Sequence, residues 1–530
     1  MGYKAVDFSY TSDHQLASAA GYGGPSSSKL ALSENYGYDH VGDLTSLTDW
    51  GYYGSSSGTV SVELESLSMG YDSDGEATSV NNSVHSSENT SLSYDHDGQL
   101  IGASGYGGSA GSGGSLDLGY DSNGNLAGSG TSVGAGNTQL AANGNTYTFD
   151  AAGNMLTRTD SSGNALCFTW DDRDRLTSVT LENSSGVPQW SVSYAYDMFN
   201  EIIARTNTSY YSDGTEEGTF TRRYISDPTT GQTLLAINQF GILTDRFLWG
   251  PQAGQILLDE TIGFPSTVER WMATNNTGSV ADVWEGYYGG YGGGYGAVLD
   301  HLDYNAFGGI VSQTHSAYAP LFGYNGEYTD PLTGLQYHND PTSGEPGRWY
   351  DPLAQRWLSE DPIFPLSGPD PYEYCGNAPT NYEDPTGQAA APGAGLPYGK
   401  LYPPGKWRPA TGKEAVEGFA TGLGIGAVVV GGIEIFGPLA AIGAGGGGTT
   451  CGAVTVTTIA SRGPILSAYF TAGAKLANTP ENIAALQWYE QKALDIIEQY
   501  QTMGGMDANI AEQQRRLQML QQQLQQWGAR

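Results

Sequence analysis

YDHDGQLI, residues 94–101, holds the unit that decides how this chain folds. An aromatic residue ends a strand, Asp with Gly makes a turn, and Leu or Ile starts the return strand. The unit recurs as YDHVGDLT from Tyr38, YDSDGEAT from Tyr71 and YDSNGNLA from Tyr120. It continues as FDAAGNMLT from Phe149, WDDRDRLTSV from Trp170 and YDMFNEIIAR from Tyr196. Successive units are 33, 23, 26, 29, 21 and 26 residues apart. One hairpin cannot bury its own apolar face, so stacked units are expected to make one extended sheet. The composition agrees: with 77 Gly and 35 Tyr in 530 residues, turns and half-buried strands are favoured and the class is mainly β.

Two sharper readings of these turns are weaker than plain turn chemistry. Asp72 with Asp74, and Asp95 with Asp97, have the look of calcium ligands. An EF-hand loop needs three ligand positions before its Gly and a Glu at position twelve, which these turns lack. Residues 54–58 match GxSxG, but no apolar strand precedes them and no helix signal follows.

Charge divides the chain. Residues 1–388 hold 12 basic and 47 acidic residues, net −35, and no Lys or Arg lies between Lys29 and Arg158. Residues 389–530 hold 10 basic and 9 acidic, net +1, and no His. An acidic body of this kind is not expected to bind nucleic acid, whose phosphates need Lys and Arg. Three cysteines, Cys167, Cys375 and Cys451, show no CxxC spacing and cannot form a disulfide scaffold. The first residues, MGYKAVDFSY, lack a charged segment followed by an apolar run. No secretory signal peptide is expected there, and export would need a dedicated system.

The repeats resemble the YD repeats of Rhs proteins and of the C components of insecticidal toxin complexes. Downstream, VERWMATNNTGSVADVW at 268–284, LDYNAFGGIVSQ at 302–313 and LFGYNGEYTDPLTGLQYHNDP follow in the order of that family. RWYDPLAQRWLSEDPI, from Arg348 to Ile363, and PYEYCGNAPTNYEDPTGQ, from Pro371 to Gln388, are similar to the Rhs-associated core domain. The resemblance implies β-hairpins wound into a shell or partial shell around a variable C-terminal segment. The organisation it suggests is a YD-repeat region at 1–267 and a core domain at 268–388. A Pro/Gly-rich linker at 389–417, a Gly-rich apolar segment at 418–478 and a helical tail at 479–530 follow. Seven recognisable repeats are fewer than a family shell usually carries. Gly/Ser-rich spacers such as 102–115 suit a sheet poorly, and 286–296 reads as a loop.

The resemblance also implies self-cleavage after the final DPxG element. The family's Arg falls on Arg348 and its two Asp on Asp361 and Asp384. The scissile bond would be Gln388–Ala389, with Gln388 where the family pattern has Leu. The chemistry is sound: peptide hydrolysis needs a base for water and an acid for the leaving amine. Two close carboxylates sharing a proton supply both, and Arg can hold one ionised or steady an oxyanion. The bland alternative is that Asp-Pro pairs, here at Asp330, Asp340, Asp351, Asp361, Asp370 and Asp384, are turn formers, with Arg348 an ion-pair partner.

In the tail, residues 418–461 carry one charge, Glu434, but are punctuated by Gly and by Pro438. A Gly-rich segment inside the shell is expected ahead of a membrane-active one. Thr479-Pro480-Glu481 starts a helix. Ile510, Leu517, Leu520, Leu524 and Trp527 lie near heptad spacing, so a helical hairpin or short coiled coil is expected. Without His, and with Cys451 as its one thiol, the tail excludes His-based nuclease, Cys-His and His-metal chemistry. The leading reading is a shell protein that encloses or presents its own C-terminal segment as cargo, a toxin in the family. Such a cargo implies an immunity or delivery partner and, for this apolar tail, membrane contact; no cofactor is expected. The alternatives are a non-catalytic structural or cell-surface interaction protein, or a fragment of a longer Rhs protein.

Overall fold

The computed structural model describes residues 4–23, 29–55, 58–106, 114–252, 254–263, 267–285, 296–343, 345–362, 370–388 and 391–392, with 518, 521, 522 and 524–526. Two antiparallel meanders dominate it. Nine strands, from Ala5–Tyr10 to Gly114–Asp117, form one sheet, and sixteen, from Ser132–Val133 to Ile310–Gln313, form a second. In both, spatial order equals chain order. The one extended sheet expected from the repeats is therefore two. At the break, the Tyr120 hairpin shrinks to an isolated bridge between Tyr120 and Leu126. Gly119, Gly128 and Gly130 flank it, and glycines bring no side chains to hold a longer ladder. The second sheet runs unbroken past residue 268, because Ile256–Thr261 pairs with Val268–Thr274.

Each part of the YD unit has a distinct job. The Asp side chain caps its own turn: Asp95 Oδ1 accepts the N–H groups of Asp97 and Gln99, both at 2.9 Å. Asp72, Asp121, Asp150, Asp171 and Asp197 repeat that pattern. The fourth residue after each aromatic is left-handed: Gly98 has φ 81°, and Asp174 and Asn200 take 57° and 65° where no Gly is present. That conformation costs Gly nothing and Asn or Asp little. The return strand then bulges, so Ser93 faces Gly102 but Tyr94 faces Leu100.

The aromatic reaches the preceding hairpin. The hydroxyls of Tyr38, Tyr71, Tyr94, Tyr120 and Tyr196 donate to the carbonyls of Leu16, Leu44, Ala77, Leu100 and Leu176. Trp170 does the same to Met155 through its indole N–H. Phe149 has no polar tip; it packs edge-on against Tyr372, whose hydroxyl donates to the Gly153 carbonyl of that same turn. Other turns, at Asn183, Asn238, Asn275 and Asn305, use an Asn cap, and the last three carry the ladder beyond the seven units visible in the sequence.

The meanders pack on each other through Trp271 and Trp284, which lie over Gly21 and Gly51. A methyl group at Gly21 would stand 2.2 Å from the Trp271 ring, so these strand glycines make room for indoles. The largest core gathers Phe168, Val179 and Val192 of the second sheet around Tyr337, Trp349, Tyr350, Trp357 and Tyr374. Those last residues belong to the segment 328–388. Its small sheet joins Tyr328–Thr329, Gln336–His338, Arg348–Asp351 and Arg356–Trp357. Tyr382–Glu383 pairs with Ala391–Pro392.

The expected linker, apolar segment and helical tail lie outside the described residues, apart from Ala391–Pro392 and six positions. Those six, Gln518, Gln521, Gln522, Leu524, Gln525 and Gln526, are helical. The Gly-rich stretches 107–113 and 286–295 also lie outside. Among the described residues, no helix is long and apolar enough to cross a membrane.

Candidate functional site

Arg348 opens the strand Arg348–Asp351 and is buried, its side chain 3% exposed. Its terminal nitrogen meets Asp361 Oδ2 at 2.8 Å and Asp384 Oδ2 at 3.3 Å. The fold thus brings together three residues that the sequence separates by 13 and 23 positions. The guanidinium also donates to the Pro371 carbonyl at 3.2 Å and, through Nε, to the Gly387 carbonyl. Its plane lies over the Trp357 ring, 4.1 Å from the centroid, a cation–π contact in a desolvated place. Such a hub offsets part of the cost of removing two acidic side chains from water.

Asp384 holds the turn that carries the expected cleavage point. Its Oδ1 accepts the Gln388 N–H and the Thr386 hydroxyl, both at 3.0 Å, and its carbonyl accepts the Gly387 N–H. Gln388 is tethered further by its side chain, which donates to Ser343 Oγ at 2.8 Å. Ala389 lies outside the described residues. On its near side, the described turn 384–388 follows the strand Tyr382–Glu383, which pairs with Ala391–Pro392.

Two neighbours of this cluster were not singled out in the sequence. His338 pairs across the hairpin with Arg348. Its Nδ1 donates to the Asp384 carbonyl at 2.7 Å, while Nε2 is buried and meets no hydrogen-bond partner. Burial pushes the imidazole pKa down to about 4, so the ring is neutral at neutral pH. Glu327 has a carboxyl pushed well above the usual range by burial, with the charges of Glu383 and Asp384 adding to the effect. Alternation in the QYH and RWY strands was the signal for His338, since a short hairpin sets such residues opposite one another. Nothing local pointed to Glu327.

Stacked YD hairpins, followed by a core segment in which an arginine meets two carboxylates, are the features to set beside known proteins. The Teneurin YD-shell family model matches residues 58–212. The chain is 28% identical over 283 residues to the toxin protein Tse5 of Pseudomonas aeruginosa, covering 49% of this chain and 20% of that protein. It is 25% identical over 281 residues to the double-stranded DNA deaminase toxin A of Burkholderia cenocepacia, covering 48% and 17%. Toxin subunit YenC1 of Yersinia entomophaga is 26% identical over 250 residues, covering 46% and 23%. The chain therefore matches about a fifth of the length of each of these relatives. Among solved structures, the complex TcdB2-TccC3-TEV superposes with a TM-score of 0.52 at 19% identity, over 72% of this chain and 20% of that one. Over about half its length the chain is thus similar to YD-repeat toxins and toxin-complex components.

Proposed function

We propose that this chain is an Rhs-type shell body that encloses or presents residues 389–530 as its own cargo, and releases them by cutting itself at Gln388–Ala389. The observation that carries the reading is the convergence of Asp361, Asp384 and the Gly387 carbonyl on Arg348. One carboxylate takes a proton from water, and the water oxygen bonds to the Gln388 carbonyl carbon. The bond to the Ala389 nitrogen breaks as the second carboxyl protonates it. The products are a Gln388 carboxylate and an Ala389 amine. Arg348 draws charge toward the neighbouring carbonyl, and the Asp384 turn presents the bond.

Within 389–530 the absence of His and the single Cys leave no ligands for a zinc deaminase of the H-x-E…C-x-x-C type. The deaminase chemistry named for the Burkholderia relative is therefore not proposed for this tail. If the cargo is toxic, membrane disturbance suits its apolar, Gly-rich sequence better than catalysis. Leakage from lipid vesicles on adding the isolated tail, with growth inhibition on expression, tests that part; neither effect would reject it.

Intact-mass analysis of the purified protein tests the cleavage. Pieces of 388 and 142 residues are expected from the unaltered chain, and a single 56.0 kDa species from Asp361→Ala/Asp384→Ala. One uncut mass for both proteins contradicts it. That result would favour the second reading, a structural latch, which the full engagement of Asp384 by its turn and Arg348 also suits.

A further inference from the structure

Far from the Arg348 cluster, the two meanders meet around a different set of side chains. Glu65 comes from the strand Gly58–Tyr71, and His85 precedes the short turn Ser86–Glu88. Asp282 comes from Val280–Glu285 and His301 from Ala297–Tyr304. One ligand atom from each lies within 4.8 Å of the other three. Glu65 and Asp282 are each 1% exposed. Glu65 Oε1 and Asp282 Oδ2 are buried without a hydrogen-bond partner.

The neighbours are organised as supports. The His301 ring touches Asp282 at 2.8 Å and Glu88 at 2.7 Å, one through each nitrogen. The His85 ring stacks on it with centroids 4.1 Å apart. Asn82 donates to the second oxygen of Glu65 and to Glu88. Burial pushes the Glu65 carboxyl well above its usual range, and the Asp282 and Glu88 charges push it further. Burial opposes charge on the His301 ring, but Asp282 and Glu88 outweigh it and lift its pKa to about 11. Asp49, also buried with both oxygens unpartnered, adds another carboxylate to this inter-sheet layer.

We propose that Glu65, His85, Asp282 and His301 form a binding site for a borderline divalent cation of the zinc class, which clips the first sheet to the second. Two imidazoles and two carboxylates are a donor set that zinc accepts and that calcium or magnesium does not favour. The unpartnered carboxylate oxygens supply lone pairs already stripped of water. Glu88 fills the supporting role of a carboxylate hydrogen-bonded to the far nitrogen of a ligating His. Each ligand must present a free lone pair, so loading displaces any proton held on the donor atoms.

The test uses the full chain, stripped with a chelator and dialysed against zinc chloride. One equivalent retained per chain, a raised melting temperature and no displacement by excess magnesium or calcium are expected. His85 is only half-buried, so His85→Gln is expected to fold; it should weaken zinc binding at least about tenfold, as loss of even an outer partner of a metal site does. Asp282→Asn should do the same, and His96→Gln, in an exposed repeat turn, should change nothing. Cobalt added to the unaltered chain should give a visible absorption that zinc abolishes. The proposal is overturned if the unaltered chain retains no zinc, or if a folded His85→Gln retains it with undiminished affinity.

Discussion

The Asp turns of the meanders and five of the six Asp-Pro turns of residues 330–384, all but that of Asp340, place the same residue type in opposite surroundings. Asp72 and Asp121 are exposed, and each caps its turn with backbone N–H groups. Asp330, Asp351, Asp361, Asp370 and Asp384 are buried. Each of these also meets an arginine: Arg205, Arg158, Arg348, Arg356 and again Arg348. In a body with 12 basic residues, four arginines therefore stand at five Asp-Pro turns. The repeat turns are interchangeable units of a ladder. The Asp-Pro turns are fixed individually, from distant parts of the chain, as a precise local site requires.

The contrast can be broken at its strongest point first. Arg348→Met leaves two buried carboxylates without their cation and should cost about 3–5 kcal/mol by chemical denaturation. A loss no larger than that of a surface substitution would show that the cluster is not held as described. Next comes pH. Burial lifts the Glu201 carboxyl, beside Asn339, to about 8. A raised carboxyl is protonated in the fold at pH values where the unfolded chain has lost the proton. Its stabilisation is complete below about 4.5 and is lost as pH rises toward 8. Melting temperatures across that window should therefore fall less steeply for Glu201→Gln than for the unaltered protein.

Smaller effects belong to the ladder. Tyr94→Phe removes the hydroxyl that joins Ala77 to its hairpin and to Thr380, and should cost about 1 kcal/mol. Asp72→Ala removes one exposed cap and should cost less, a few tenths to about 1 kcal/mol. If Asp72→Ala exceeded Arg348→Met in a matched denaturation series, the contrast between the regions would be reversed.

What was legible in the sequence follows the range of the interactions. The YD turns could be read because Asp95 and its two N–H partners lie within five residues. The mainly β architecture followed from them. The hydroxyl ladder was hidden, since Tyr94 binds a carbonyl 17 residues back and only the meander sets that spacing. The division into two sheets was hidden too, because the Tyr120 unit has the same motif as its neighbours and fails only in what its glycines can pack. Arg348, Asp361 and Asp384 were reached through motif resemblance, not spacing. His338 and Glu327 were missed because burial, which no local pattern encodes, gives them their character. The four-residue cluster of Glu65, His85, Asp282 and His301 joins strands more than two hundred residues apart, and nothing in the linear sequence sets them side by side.

The central claim is that the Arg348 cluster performs chemistry and does not merely hold a turn. Asp361→Asn separates the two roles, because it keeps the side-chain shape while removing the basic carboxylate. Intact mass and melting temperature should be measured on the same preparation. The account predicts an uncut 530-residue chain that still melts cooperatively, beside an unaltered protein cut between Gln388 and Ala389. A folded Asp361→Asn protein cut as fully as the unaltered one would contradict it.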